Sequence, residues 1–88
     1  MKNYKFIIYG KVQGVYYRVN VKNNALNATY KGYVKNMPDG TVEACVTCQD
    51  SELDSFLDIL KKGSPNSEVK EIHTFTCKEI FNKPFEIR

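Results

Sequence analysis

The residues best equipped for chemistry stand together in GKVQGVYYR, residues 10 to 18. Gly10 and Gly14 frame a short run that closes on Arg18, one of two arginines in a chain whose other basic residues are eleven lysines. A guanidinium offers a planar pair of N–H donors that matches two phosphoryl oxygens, where an ammonium offers a point charge. A glycine-framed turn from a strand into a helix also gathers backbone N–H groups without intrahelical partners, and the helix dipole adds positive potential. The amides of Gln13, Gly14, Val15, Tyr16 and Tyr17, followed by Arg18, therefore form a candidate anion cradle. Gly10 and Gly14 would let the backbone fold over the ligand. The string matches neither the Walker pattern nor the dinucleotide fingerprint, so on generic grounds a plain strand-to-helix turn is the more common reading.

The other reactive residue types carry less. Cys45 and Cys48 in CVTC have the spacing of a zinc knuckle, but residues three apart on a strand face opposite ways, and no second Cys or His pair completes a tetrahedral set. No metal is expected. His73 is alone in a predicted strand, without a nucleophile to activate. Three cysteines, with no apolar leader ahead of the domain, predict reduced thiols and a cytoplasmic protein. The net charge of +3 favours small anions but falls short of the basic stripe of a nucleic-acid binder. No stretch approaches a bilayer span.

These residues need elements to position them. NYKFIIY, 3–9, alternates Tyr4, Phe6 and Ile8 with Lys5 and Ile7, which predicts a strand buried on one face and ended by Gly10. Residues 16–28 read as a helix whose apolar face carries Val15, Val19 and Leu26, with Val21, Ala25 and Ala28 beside them. KGYVKN, 31–36, and TVEACVTC, 41–48, read as a hairpin around the turn MPDG. SELDSFLDILKKG, 51–63, is the clearest helix: Leu53, Phe56, Leu57 and Leu60 form one stripe, Ser51 with Asp54 resembles a capping box, and Gly63 closes it. SEVKEIHTFTC reads as a strand, and PFEIR as a short last one. The order βαββαβ in 88 residues predicts one domain, 1–88, of α+β class: a ferredoxin-like split βαβ with an antiparallel sheet and two helices on one face. Many functions share that architecture.

GKVQGVYYR followed by GYVKNMPDGTVE resembles the acylphosphatase family, which carries a Gly-x-Val-Gln-Gly-Val-x-Phe/Tyr-Arg loop, a later Gly-Trp-Val-x-Asn segment and an Asp-Gly-x-Val-Glu hairpin. GSPNSEV and the final FEIR extend the resemblance over most of the chain. It implies a small monomeric hydrolase that cleaves the carboxyl-phosphate bond of acyl phosphates without a metal or organic cofactor. It assigns phosphate binding to Arg18 and positioning of the attacking water to Asn36. Thr41 aligns with a threonine that supports the site, and the terminal carboxylate at Arg88 with a restraint on the catalytic guanidinium. Tyr33 stands where the family has Trp, and LNATYKGYV lacks the usual Leu-Gly before the second strand.

Two other functions fit the same fold. One is a non-hydrolytic module for small anions or carbamoyl phosphate, of the kind found within larger maturation proteins. The other is an RNA-binding sheet with its tyrosines as stacking platforms, against which stand the absent RNA-binding signature and the unclustered charge.

Overall fold

The computed structural model describes residues 1 to 88. In β1 (Lys2–Lys11) the period-two alternation buries Tyr4, Phe6 and Ile8 on one face. This strand is flanked on both edges, by β3 (Val42–Cys48) and β4 (Glu68–Thr76), both antiparallel to it. β2 (Lys31–Asn36) continues the sheet beyond β3, and the two-residue β5 (Glu86–Ile87) closes the order β4-β1-β3-β2-β5. One core cluster joins the inward face of the sheet to Tyr17, Val21 and Ala25 of α1 (Tyr17–Asn27) and to Phe56 and Leu60 of α2 (Leu53–Lys62). The ferredoxin-like arrangement with both helices on one face is therefore as expected.

The sheet is mixed and not wholly antiparallel, because β5 runs parallel to β2. After β4 the chain crosses the face that carries no helices. Phe81 packs edge-on against Tyr33 at 5.5 Å, and its N–H donates to the Thr47 hydroxyl at 2.9 Å. That crossing returns the chain beside β2 in the same direction, and the Arg88 N–H then donates to the Val34 carbonyl.

Two helical expectations need correction. In α1 the buried stripe is Tyr17, Val21 and Ala25, while Val19 and Leu26 are 44% and 37% exposed. Tyr17 sets this rotation: its ring is buried and its hydroxyl donates to the Leu60 carbonyl at 2.7 Å, so residues four and eight further on face the sheet. At the start of α2 the capping box is formed by Gln49 and Glu52 around a short 3₁₀ turn, Asp50–Glu52. Ser51 lies inside that turn and has no helix end to cap. The stripe itself stands, with Phe56 and Leu60 buried and Leu53 and Leu57 packed against the core.

Two backbone positions show how the ends of these elements are set. The β1–β4 ladder slips register between Tyr9 and Gly10, where Gly10 has φ 129° and a Cβ would collide with the Glu68 carbonyl. At the end of α1, Thr29 takes φ 62°. Its N–H donates to the Leu26 carbonyl and that of Tyr30 to the Ala25 carbonyl, a Schellman ending that usually has glycine at this position. Replacing Gly10 by Ala should lower the free energy of unfolding by about 2–4 kcal/mol, from strain plus collision. Thr29→Gly should raise it by about 0.5–1 kcal/mol, the left-handed penalty less glycine's extra entropy. Urea titrations of both variants read the two effects directly.

Candidate active site

β1 delivers the chain into a loop whose backbone is held open. Gly14 has φ 75°, and Tyr16, the residue before the first turn of α1, has φ 61° and ψ 22°. The N–H groups of Gln13, Gly14, Val15 and Tyr16 donate to no backbone acceptor, and the first turn of α1 adds its own unpaired donors. No acidic residue stands in that turn, so nothing there offsets the positive end of the helix.

Four contacts fix this loop. The Gln13 side-chain amide donates to the carbonyls of Met37 and Thr41, both at 2.8 Å. The Ser64 hydroxyl donates to the Val15 carbonyl at 2.6 Å, and the buried Tyr17 ring is tied through its hydroxyl to α2. Burial raises the Tyr17 phenol far above its usual range, so it remains a donor at neutral pH. The Tyr16 carbonyl accepts both the Asn20 side-chain amide at 2.9 Å and the Asn20 N–H at 3.1 Å.

The hairpin on the other side is equally determined. The Thr41 hydroxyl and N–H both donate to one Asp39 oxygen, at 2.6 and 3.0 Å, and these bonds hold the Asp39 carboxyl below its usual value. The Thr41 carbonyl accepts the Met37 N–H as well as Gln13. Asn36, the last residue of β2, shares the helix-facing side with Val34. Its Oδ1 is buried and accepts no hydrogen bond. An unpaired buried acceptor costs about 1–3 kcal/mol, and with the amide turned toward the cleft an O–H donor on a bound molecule would satisfy it.

Arg18, Asn36, Gly14, Tyr16 and Tyr17 line one cleft of about 390 Å³, at the small end of ligand pockets. Arg18 takes part in none of the four ion pairs, leaving its donors uncommitted. Gln13 and Val15, assigned to the cradle from sequence, do not line the cleft: Gln13 reaches the hairpin and Val15 packs against the core. Gly10 and Thr41 also stand outside it, at the β1–β4 bulge and in the hairpin. Val12 and Val19 do line it and were not expected there. The sequence pattern puts Val19 on the core face of α1, and the rotation set by Tyr17 turns it outward. Tyr33 faces the opposite side of the sheet, donating to Glu43 at 2.6 Å beneath the Arg88 guanidinium, which lies 4.2 Å from its ring.

The remaining reactive residues fall elsewhere. Cys45 lies with Tyr33 and Phe81 on the sheet face without helices, and Cys48 lies in the main core, on opposite faces as their spacing predicts. Burial pushes the Cys45 thiol up to about 11 and also raises Cys48, which leaves both protonated at neutral pH and poor nucleophiles. No three His, Cys, Asp or Glu side chains gather in a way that would hold a metal ion. His73 contacts Glu71 at 3.1 Å and the Tyr9 ring at 4.9 Å on an exposed strand.

Comparison with known proteins gives one consistent answer. The family model described as Acylphosphatase matches residues 4–87. The chain is 39% identical over 88 residues to the acylphosphatase of Methanocella arvoryzae, covering 100% of both. Its fold superposes on the crystal structure of acylphosphatase from Bacillus subtilis with a TM-score of 0.91, at 35% identity, over 100% of this chain and 99% of that one. It also superposes on 12% of the chain of T. kodakarensis HypF, with a TM-score of 0.80 at 30% identity over 99% of this chain.

Two measurements check the site as a physical object. Gln13→Leu should lower stability to urea by about 1–2 kcal/mol, since its two acceptor carbonyls keep other donors. A thiol reagent at pH 8 should label Cys77 first, with Cys45 and Cys48 reacting only after unfolding. Rapid labelling of all three would show that the two buried thiols are accessible in the native state.

Proposed function

This chain belongs to the acylphosphatase family, and we propose that Arg18 and Asn36 carry the hydrolysis of the carboxyl-phosphate bond, with the loop amides as the rest of the machinery. The supporting observation is the buried, unpartnered Oδ1 of Asn36 in the same cleft as an uncommitted arginine and a run of unpaired N–H groups.

The chemistry suits so sparse a site. An acyl phosphate releases a carboxylate, which needs no proton at neutral pH, so a general acid would add little. Phosphoryl transfer spreads charge over the equatorial oxygens, and Arg18 with preorganised amides stabilises that charge. Asn36 Oδ1 accepts a hydrogen bond from the attacking water and aims its oxygen at phosphorus. An amide orients water but does not deprotonate it.

The balance is then complete. The water oxygen bonds to phosphorus, the phosphorus–acyl oxygen bond breaks, and its electron pair leaves with the carboxylate. The water proton passes to an oxygen of the substrate's own phosphoryl group, giving inorganic phosphate. The side chains of Tyr17, Ser64, Gln13 and Thr41 act on the reaction only by holding the loop and hairpin in register. Neither a metal nor an organic cofactor enters this course. The enzyme would work as a monomer in the cytoplasm. Its three free cysteines fit a reducing compartment, and no helix is long and apolar enough to cross a membrane.

The test is steady-state hydrolysis of benzoyl phosphate with EDTA present throughout. Arg18→Ala should lower kcat/KM by about 100-fold or more. Asn36→Ala should lower kcat by about 100-fold while changing the inhibition constant for inorganic phosphate by less than about threefold. Equal loss of both parameters in the Asn36 variant would make it a ligand-binding residue. Phosphate binding through Arg18 without any turnover would make the loop a receptor for an anion.

A further inference from the structure

Tyr16 has no structural employment that explains its size. Its ring is 76% exposed, and its hydroxyl is absent from the hydrogen bonds that tie the loop together. Its backbone sits at φ 61°, ψ 22°, a region that a bulky residue occupies only at a cost and glycine occupies freely. Two hydrogen bonds from Asn20 to its carbonyl hold it there. Strain of this kind persists where the surrounding structure imposes it, and such positions cluster at functional sites.

The ring nevertheless has a place in the cleft. Tyr16 and Val19, three residues apart and hence on one side of the helix start, both line the space that holds Arg18 and Asn36. Val12 and Tyr17 line it too but are buried, so the exposed apolar surface of the cleft is that of Tyr16 and Val19.

The direction of reaction assigns this surface a role. If water is aimed from Asn36 at the end of β2, in-line displacement sends the acyl oxygen away from that residue. Every other lining residue belongs to the loop or the start of α1. Beyond its carbonyl, the acyl group therefore meets this wall. The wall carries no carboxylate for a cationic acyl group, and its one cation, Arg18, is taken by the phosphoryl group.

We infer that Tyr16 and Val19 form the acyl-recognition wall of this site, and that the chain prefers acyl phosphates whose acyl group is aromatic or otherwise flat and apolar. This rests on the hydrolytic reading of the same cleft. Contact with a part of the substrate remote from phosphorus is made in ground state and transition state alike, so it should appear mainly in KM.

The experiment compares kcat/KM for benzoyl phosphate and acetyl phosphate in wild type, Tyr16→Phe, Tyr16→Gly and Val19→Ser. The ratio of the two substrates, taken relative to wild type, cancels their intrinsic reactivities and any loss common to both. Glycine keeps the loop's backbone conformation without strain while removing the ring. Tyr16→Gly should lower the benzoyl-to-acetyl ratio by about three- to tenfold, chiefly through the KM for benzoyl phosphate. Val19→Ser should lower it by about twofold, and Tyr16→Phe should keep it within about twofold of wild type. Turnover of both substrates with an unchanged ratio in Tyr16→Gly overturns the inference and leaves the hydrolytic reading standing. A loss in Tyr16→Phe equal to that in Tyr16→Gly also overturns it, since the hydroxyl would then be the recognising group. If wild type turns over neither substrate, the hydrolytic reading falls and takes the wall with it.

Discussion

One side-chain amide holds the two halves of the site together. Arg18 stands in the first turn of α1, at the exit of the loop after β1, and Asn36 at the end of β2, with the rest of α1 between them in the chain. Gln13 spans that separation with one nitrogen that donates to two carbonyls, those of Met37 and Thr41, in the turn that follows Asn36. Both acceptors already belong to the hairpin's own bonding: Met37 accepts from Gly40, and Thr41 accepts from Met37. A change in the hairpin is thus felt by the loop through a path of hydrogen bonds. The proposed reaction uses no general acid or base and so rests on position, where misplacement by about 1 Å can cost about 100-fold in rate.

The remaining tethers explain why the loop amides are useful. Unpaired N–H groups stabilise a developing anion only if they need not reorganise when it forms. Ser64 and Tyr17 bind the loop to the end of α2, and Gln13 binds it to the hairpin. Gly63 is part of the same joint, since a Cβ there would come within 2.6 Å of the Tyr17 ring. The long α2 stripe therefore serves the chemistry as well as the core, because burying Phe56 and Leu60 fixes the carbonyl on which Tyr17 hangs.

Much of this was legible in the sequence where a pattern belongs to side chains. The alternation of β1, the hairpin strands and the α2 stripe are side-chain periodicities, and each element lies where its residues place it. Arg18 and Asn36 were read as partners and line one cleft. What escaped depends on backbone atoms or on rotation. The clasp made by the Gln13 side chain was not legible because its acceptors are carbonyls, which leave no trace in residue types. The face of α1 was misread because Val15, Val19 and Leu26 look as apolar as Tyr17, Val21 and Ala25, and a hydrogen bond from α2 decides between them. The parallel β5 was hidden for the same reason: strand direction follows from the route of residues 77 to 85 across the sheet, which no local pattern records.

Two residues other than glycine have positive φ, and the contrast between them separates architecture from function. Thr29 and Tyr16 have nearly the same angle, 62° and 61°. At Thr29 the angle is explained on the spot, since it ends a helix and pairs two carbonyls that would otherwise be orphaned. At Tyr16 the same angle stands at the start of α1, where the carbonyl accepts the Asn20 N–H, and it leaves an aromatic ring in solvent. Asn36 makes the same kind of exception: most buried acceptors are paired, yet its Oδ1 is not. Both departures line one cleft together with Arg18. A fold under selection for stability alone would remove both with single substitutions, glycine at one position and an apolar residue at the other. Their coincidence in the space beside an uncommitted guanidinium is what the proposed substrate-facing role accounts for.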